Sequence, residues 1–112
     1  MRRAGPLMIL ALLAGACGSS SDAGPAVPVD PAALYTQMCA RCHGLDGHGD
    51  ALLKQTMPTL RDFSEPELRA RSNDQVEQVI MGGKNQMPPF GWQLSLPAIQ
   101  SLTGYVKRLG AR

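Results

Sequence analysis

Residues 38–49 read Met-Cys-Ala-Arg-Cys-His-Gly-Leu-Asp-Gly-His-Gly, and no other stretch constrains the fold as strongly. Two cysteines, Cys39 and Cys42, stand one helical turn apart, with His43 directly behind the second. Gly44, Gly47 and Gly49 follow, so a helix carrying the thiols must break into a loop just after them. The surrounding chain is short of bulk: its 112 residues contain two Phe, two Tyr and one Trp. A domain of this size buries a modest fraction of its surface and often needs a staple, a metal or a cofactor. The Cys-Ala-Arg-Cys-His run is where such a support would attach.

Four chemistries compete for that run. A Cys39–Cys42 disulfide would close a very short loop and restrain little chain. A thioredoxin-like redox pair expects a βαβ setting, and the sequence has no strand-like alternation. A tetrahedral zinc site needs a fourth ligand, and beyond this run only His48 remains in the domain of residues 30–112, with no second Cys/His pair at finger spacing. Covalent haem attachment uses two thiols at this spacing for two vinyl groups and leaves the adjacent histidine beneath the iron. The N-terminus favours this last reading, because such haem is attached outside the cytoplasm.

Residues 1–16 have the layout of an export signal. Arg2 and Arg3 form a basic start, Leu7 to Ala14 an apolar stretch, and Ala14-Gly15-Ala16 a small-residue exit. The apolar stretch falls short of the roughly 17–25 residues that a membrane-spanning helix requires. Leu13-Ala14-Gly15-Ala16-Cys17 resembles the lipobox of bacterial lipoproteins, which implies a lipid on Cys17. Ala14-Gly15-Ala16 also fits an ordinary cleavage site, and both routes cut before Cys17. Acyl chains contribute about 0.8 kcal/mol per buried CH₂, so two or more would hold the protein on a membrane. Residues 17–29, the cysteine followed by small, polar and proline residues, read as a tether. Without Arg2 and Arg3, nine Lys/Arg face nine Asp/Glu, and no basic stripe points to nucleic acid.

Residues 30–112 are then the folded domain. Asp30-Pro31 suits a helix start, with Leu34, Tyr35 and Met38 on one face running into Cys39. Residues 50–63 show no sustained period, and 64–71 suggest a short helix. Ser72-Asn73-Asp74-Gln75 has the form of a capping box before Val76, Val79 and Ile80, and Gly82-Gly83 ends that helix. Pro88, Pro89 and Gly91 enforce a loop over 84–94, after which Ser95 caps a helix carrying Ile99, Leu102, Tyr105, Val106 and Leu109. The expected class is all-α, three to five helices with long loops.

Leu34-Tyr35, Cys39-Ala40-Arg41-Cys42-His43-Gly44, Asp46-Gly47-His48-Gly49, Pro58-Thr59-Leu60, Met87-Pro88-Pro89-Phe90-Gly91 and a last helix containing Tyr105 together resemble the small monohaem class I cytochromes c over nearly all of residues 30–109. The resemblance implies a cytochrome c fold around one haem c per chain, held by Cys39 and Cys42 with His43 as an iron ligand. It implies that the Pro58 carbonyl accepts a hydrogen bond from the His43 imidazole and that Tyr105 packs where the first and last helices cross. For the second iron ligand, Met38 adjoins the attachment site, Met81 reads as core filler and Met57 lies near the segment expected to support His43. Met87, in a rigid proline loop far along the chain, is the choice to which the resemblance also points, and Met/His pairs are known haem ligands. Trp92 is expected at the haem edge or on a propionate, or simply buried, and His48 solvated. The function implied is one-electron transfer between donor and acceptor proteins on the periplasmic side of a bacterial cell envelope. With no net charge, docking is expected to be apolar, around Phe90 and Trp92. The alternatives are a haem enzyme or gas sensor with an open iron position, or a cytochrome subunit of a larger dehydrogenase.

Overall fold

In a computed structural model of the chain, the described residues are Met1 and 28–112; the expected signal, Cys17 and most of the tether lie outside them. Helix α1 (Pro31–Met38) starts where a carboxylate and a proline dictate: the Asp30 side chain accepts from the Ala32 and Ala33 N–H groups at 3.0 and 3.4 Å. After Cys39 alone, α2 (Ala40–His43) carries the second cysteine and the histidine, and ends at Gly44, whose φ is +73°. A single-turn α3 (Leu53–Thr56) follows, then another, α4 (Pro66–Arg69). Helix α5 (Asn73–Gly82) forms behind the expected capping box, in which the Ser72 side chain accepts from Gln75 N–H and Gln75 accepts from Ser72 N–H. Helix α6 (Leu96–Gly110) is capped by Ser95.

Among the described residues six helices thus replace the expected three to five, because three of them are single turns too short to carry a hydrophobic period. α3 is the clearest omission: the Asp50 carboxylate accepts from Leu52 and Leu53 N–H and starts a turn in a stretch that reads as aperiodic. Among the described residues no strand forms, only an isolated bridge between Lys84 and Met87.

The core is small. Tyr35, Ile80, Ile99, Leu102 and Leu109 are its buried members, with α6 packed against both α1 and α5. Full burial of an Ile or Leu side chain is worth about 1.5–3 kcal/mol, so Ile99 and Leu102, 2% and 1% exposed, anchor α6. α1 meets α6 where Tyr35 lies 5.1 Å, centroid to centroid, from Tyr105, the expected crossing. The C-terminal turn of α6 comes so close to the backbone of Phe63 that a Cβ on Gly110 would run into the Phe63 carbonyl. Lys107 of α6 donates to the Arg71 carbonyl at 2.7 Å, fixing the approach to α5.

Candidate haem-binding site

The helices leave one large cavity, about 1120 Å³, between the attachment segment and the loop after α5. Cys39, Cys42 and His43 line it from α2 and its N-terminal flank, and Met87 lines it from the loop. Leu60, Phe63, Leu68, Val76, Ile80, Phe90, Leu102 and Val106 make most of the wall apolar. Neither Cys39 nor Cys42 is in a disulfide. Burial, with the neighbouring Cys42, pushes the Cys39 thiol up to about 11. Among the described residues no three His, Cys, Asp or Glu side chains are grouped to hold a metal ion.

His43 is held from several directions. Its carbonyl accepts from Gly49 N–H at 2.8 Å, and its ring stacks on Phe63 with centroids 4.7 Å apart and planes 29° apart. Burial lowers its pKa, favouring the neutral imidazole that ligates metals. Nδ1 of this ring is buried and has no hydrogen-bond partner. The expected bond to the Pro58 carbonyl is therefore not made, although Pro58 lines the same cavity. Two thiols, a neutral imidazole with an unpartnered nitrogen, and a thioether around one apolar cavity are a donor set that fits a covalently held haem.

The methionines separate in space. Met38, Met57 and Met87 line the cavity. Met81 does not; it is 43% exposed, so it is not the core filler that its place in the α5 pattern suggests. The Met87 backbone is pinned by a reciprocal pair of bonds with Lys84, at 3.1 and 3.0 Å. Gly83 makes that turn possible: its φ is +71°, and a Cβ there would lie 2.5 Å from the Met87 carbonyl and 2.9 Å from the Pro89 nitrogen. Phe90 and Gly91 N–H then bind the carbonyls of Ile80 and Met81, tying the loop to α5.

Trp92 departs from expectation. It is 91% exposed and does not line the cavity, because the bonds at Phe90 and Gly91 turn the chain outward just before it. His48 is exposed, as expected, and its Nδ1 lies 2.9 Å from Asp62, which also accepts from the Ser64 N–H and hydroxyl. Phe63 is the site residue that sequence reasoning missed. A single aromatic in a stretch without period gives no signal that it will stack on a histidine twenty residues earlier.

The family model for cytochrome c oxidase, cbb3-type, subunit III matches residues 26–106. Cytochrome c-555 of Methylococcus capsulatus is 33% identical over 86 residues, 71% of this chain and 63% of that protein, so the match spans less than two thirds of that relative. Cytochrome c6 of a Synechococcus species is 31% identical over 87 residues, 78% of this chain and 74% of the relative. The solved KustC0563 c-type cytochrome superimposes with a TM-score of 0.65 at 29% identity, covering 72% of this chain and 98% of that one. With the cavity, the paired thiols and the imidazole already in place, these likenesses make the chain a member of the cytochrome c family that the subunit III model describes, a small monohaem class I cytochrome c with covalently bound haem c.

Proposed function

We propose that the protein is a one-electron carrier of the bacterial cell envelope, with its haem iron ligated by His43 and Met87, its domain tethered through lipid on Cys17, and redox proteins as donor and acceptor. The observation that carries the reading is that Cys39, Cys42, His43 and Met87 line one cavity. Bound there, haem c supplies a one-electron couple. Cys39 and Cys42 would hold it permanently, so a domain with few aromatics keeps its largest apolar component. His43 and Met87 would both ligate the iron, which would leave no open position for substrate and keep structural change on electron transfer small. Leu60, Ile80, Phe90, Leu102 and Val106 shield the cavity from water, which makes the more highly charged oxidised state costly and favours reduction. Exposed Trp92, next to the loop of Met87, gives a partner an apolar contact at a weak, small interface.

Among the described residues no helix is long and apolar enough to cross a membrane. A second reading, a cytochrome subunit of a larger assembly, draws on the family model being that of an oxidase subunit. The test is spectroscopic. Holoprotein from a maturation-competent host is expected to show a covalent haem c spectrum, a sulfur-to-iron band in the ferric state and slow, partial carbon monoxide binding when reduced. Met87→Ala should lose the band and bind carbon monoxide fully. Rapid full binding by the unaltered protein would overturn the axial assignment, and co-purification with stoichiometric partner subunits would favour the second reading. Mass analysis of the N-terminus decides the lipid on Cys17.

A further inference from the structure

The peptide frame around His43 is fixed at three successive carbonyls. Those of Cys42 and His43 accept from the backbone N–H groups of Asp50 and Gly49, both at 2.8 Å. The third, on Gly44, accepts from the phenolic hydroxyl of Tyr35 at 2.7 Å. Backbone bonds need no particular side chain; this one depends on a single residue in α1. Among the described residues the only other donor to the Gly44 carbonyl is Gly47 N–H, at a longer 3.3 Å.

Tyr35 is fully buried and lines the cavity. A core position at a helix crossing asks only for bulk, and phenylalanine would supply it. A buried hydroxyl costs free energy unless it is bonded, and here its bond falls on the residue directly after the histidine. The ring acts on the same ligand by a second route. It meets Phe63 edge-on, with centroids 6.5 Å apart and planes at 66°, and Phe63 is the ring stacked on the imidazole. Tyr35 thus bears on His43 through its backbone and through its ring plane.

We propose that Tyr35 is a positioning residue for His43: its hydroxyl sets the Gly44 peptide and its ring sets Phe63, and together they fix how the imidazole meets the iron. The proposal rests on His43 being the iron ligand, as in the function proposed above. Groups that orient a metal-bound histidine tune both its donor strength and the metal's properties.

The test compares holoprotein carrying Tyr35→Phe with a Tyr105→Phe control, which alters the other tyrosine of the same helix crossing. Tyr35→Phe is expected to keep covalent haem and a low-spin spectrum, yet to shift the largest ferric g-value, the haem-methyl proton resonances and the reduction potential relative to both the unaltered protein and the control. Spectra and potential that superimpose on the control would overturn the proposal, whatever happens to thermal stability. A second measurement covers poor maturation of the variant. Difluorotyrosine incorporated in the Tyr105→Phe background labels Tyr35 alone and strengthens its donor without changing its shape. The same signals should then move in the opposite direction, and no movement would equally refute the assignment. A low-spin His-ligated signal missing from the unaltered holoprotein would instead remove the function reading beneath it.

Discussion

Phe63 offers the sharpest test of how this small domain is held together. Its ring stacks on His43 and meets Tyr35 edge-on, while its N–H donates to the Gly47 carbonyl at 2.9 Å. Truncating a core Phe to Ala costs about 3–5 kcal/mol. Phe63 is half-buried, so its cost belongs at or below the lower end, about 2–3 kcal/mol. Aromatic pairing accounts for about 0.5–1.5 kcal/mol of such a loss. A domain of this size loses about 4–8 °C of Tm per kcal/mol. Phe63→Ala should therefore lower the Tm of the holoprotein by about 10–20 °C. Phe63→Leu keeps bulk and loses mainly the pairing, so it should fall by about 4–8 °C. The assay is thermal melting followed by far-ultraviolet circular dichroism and by the Soret band. Covalent attachment keeps haem on the unfolded chain, so cofactor loss does not confuse the midpoint. An alanine variant within about 3 °C of the unaltered protein, or a leucine variant as unstable as the alanine one, would refute the reasoning.

Three further outcomes follow from other contacts. Gly110→Ala forces a methyl group against the Phe63 carbonyl and should cost about 1–3 kcal/mol in chemical denaturation, where alanine would ordinarily favour a helix. Ser72→Ala removes one half of the capping box of α5 and should cost about 1 kcal/mol by the same measurement, with the neighbouring Asn73→Ala as a near-neutral control. The His48–Asp62 clasp should be pH-dependent, with Asp46 and Lys54 the other charged groups acting on His48. The Asp62 carboxyl, held down to about 2 by Ser64 and His48, contributes stability above its ordinary 3.8 that is lost as pH falls through about 2. His48, raised by Asp62, contributes stability that is full below 6.5 and lost as pH rises through its higher folded value. The Tm gap between the unaltered protein and Asp62→Asn should thus be widest between pH 4 and 6.5, about the interval between the two ordinary values. It should narrow on the alkaline side without vanishing, because the Ser64 bonds persist; a gap flat from pH 5 to about 9 would contradict the clasp.

What was legible in the sequence, and what was not, divides by how local the cause is. Asp30, Ser72 and Ser95 announce their helices because a cap acts on N–H groups two or three residues away. The Cys39–Cys42–His43 cluster is legible because its members lie side by side in the sequence, and the structure keeps all three on the wall of one cavity. Met87 in its proline loop could be singled out, and the structure places it in the wall of the cavity that Cys39, Cys42 and His43 also line. Trp92 could not be oriented, because the bonds that turn it outward run from Phe90 and Gly91 to carbonyls of α5. Pro58 was expected to engage His43, and the imidazole instead packs on Phe63 with its Nδ1 unpartnered.

The unread contacts share a physical origin. Phe63 on His43 and Gly110 against Phe63 join segments far apart in the chain, and Tyr35 reaches Gly44 across the break between α1 and the loop, so no helical or capping spacing encodes them. Three of the five aromatics, Tyr35, Phe63 and Tyr105, nevertheless form one run of ring contacts that ends on the imidazole. A chain this poor in aromatics places most of them between the α1–α6 crossing and His43. The helix crossing and the orientation of the His43 ring therefore rest on the same few side chains. A substitution that loosens the crossing at Tyr35 should be felt at His43, and one that frees His43 at Phe63 should be felt as lost stability in α6.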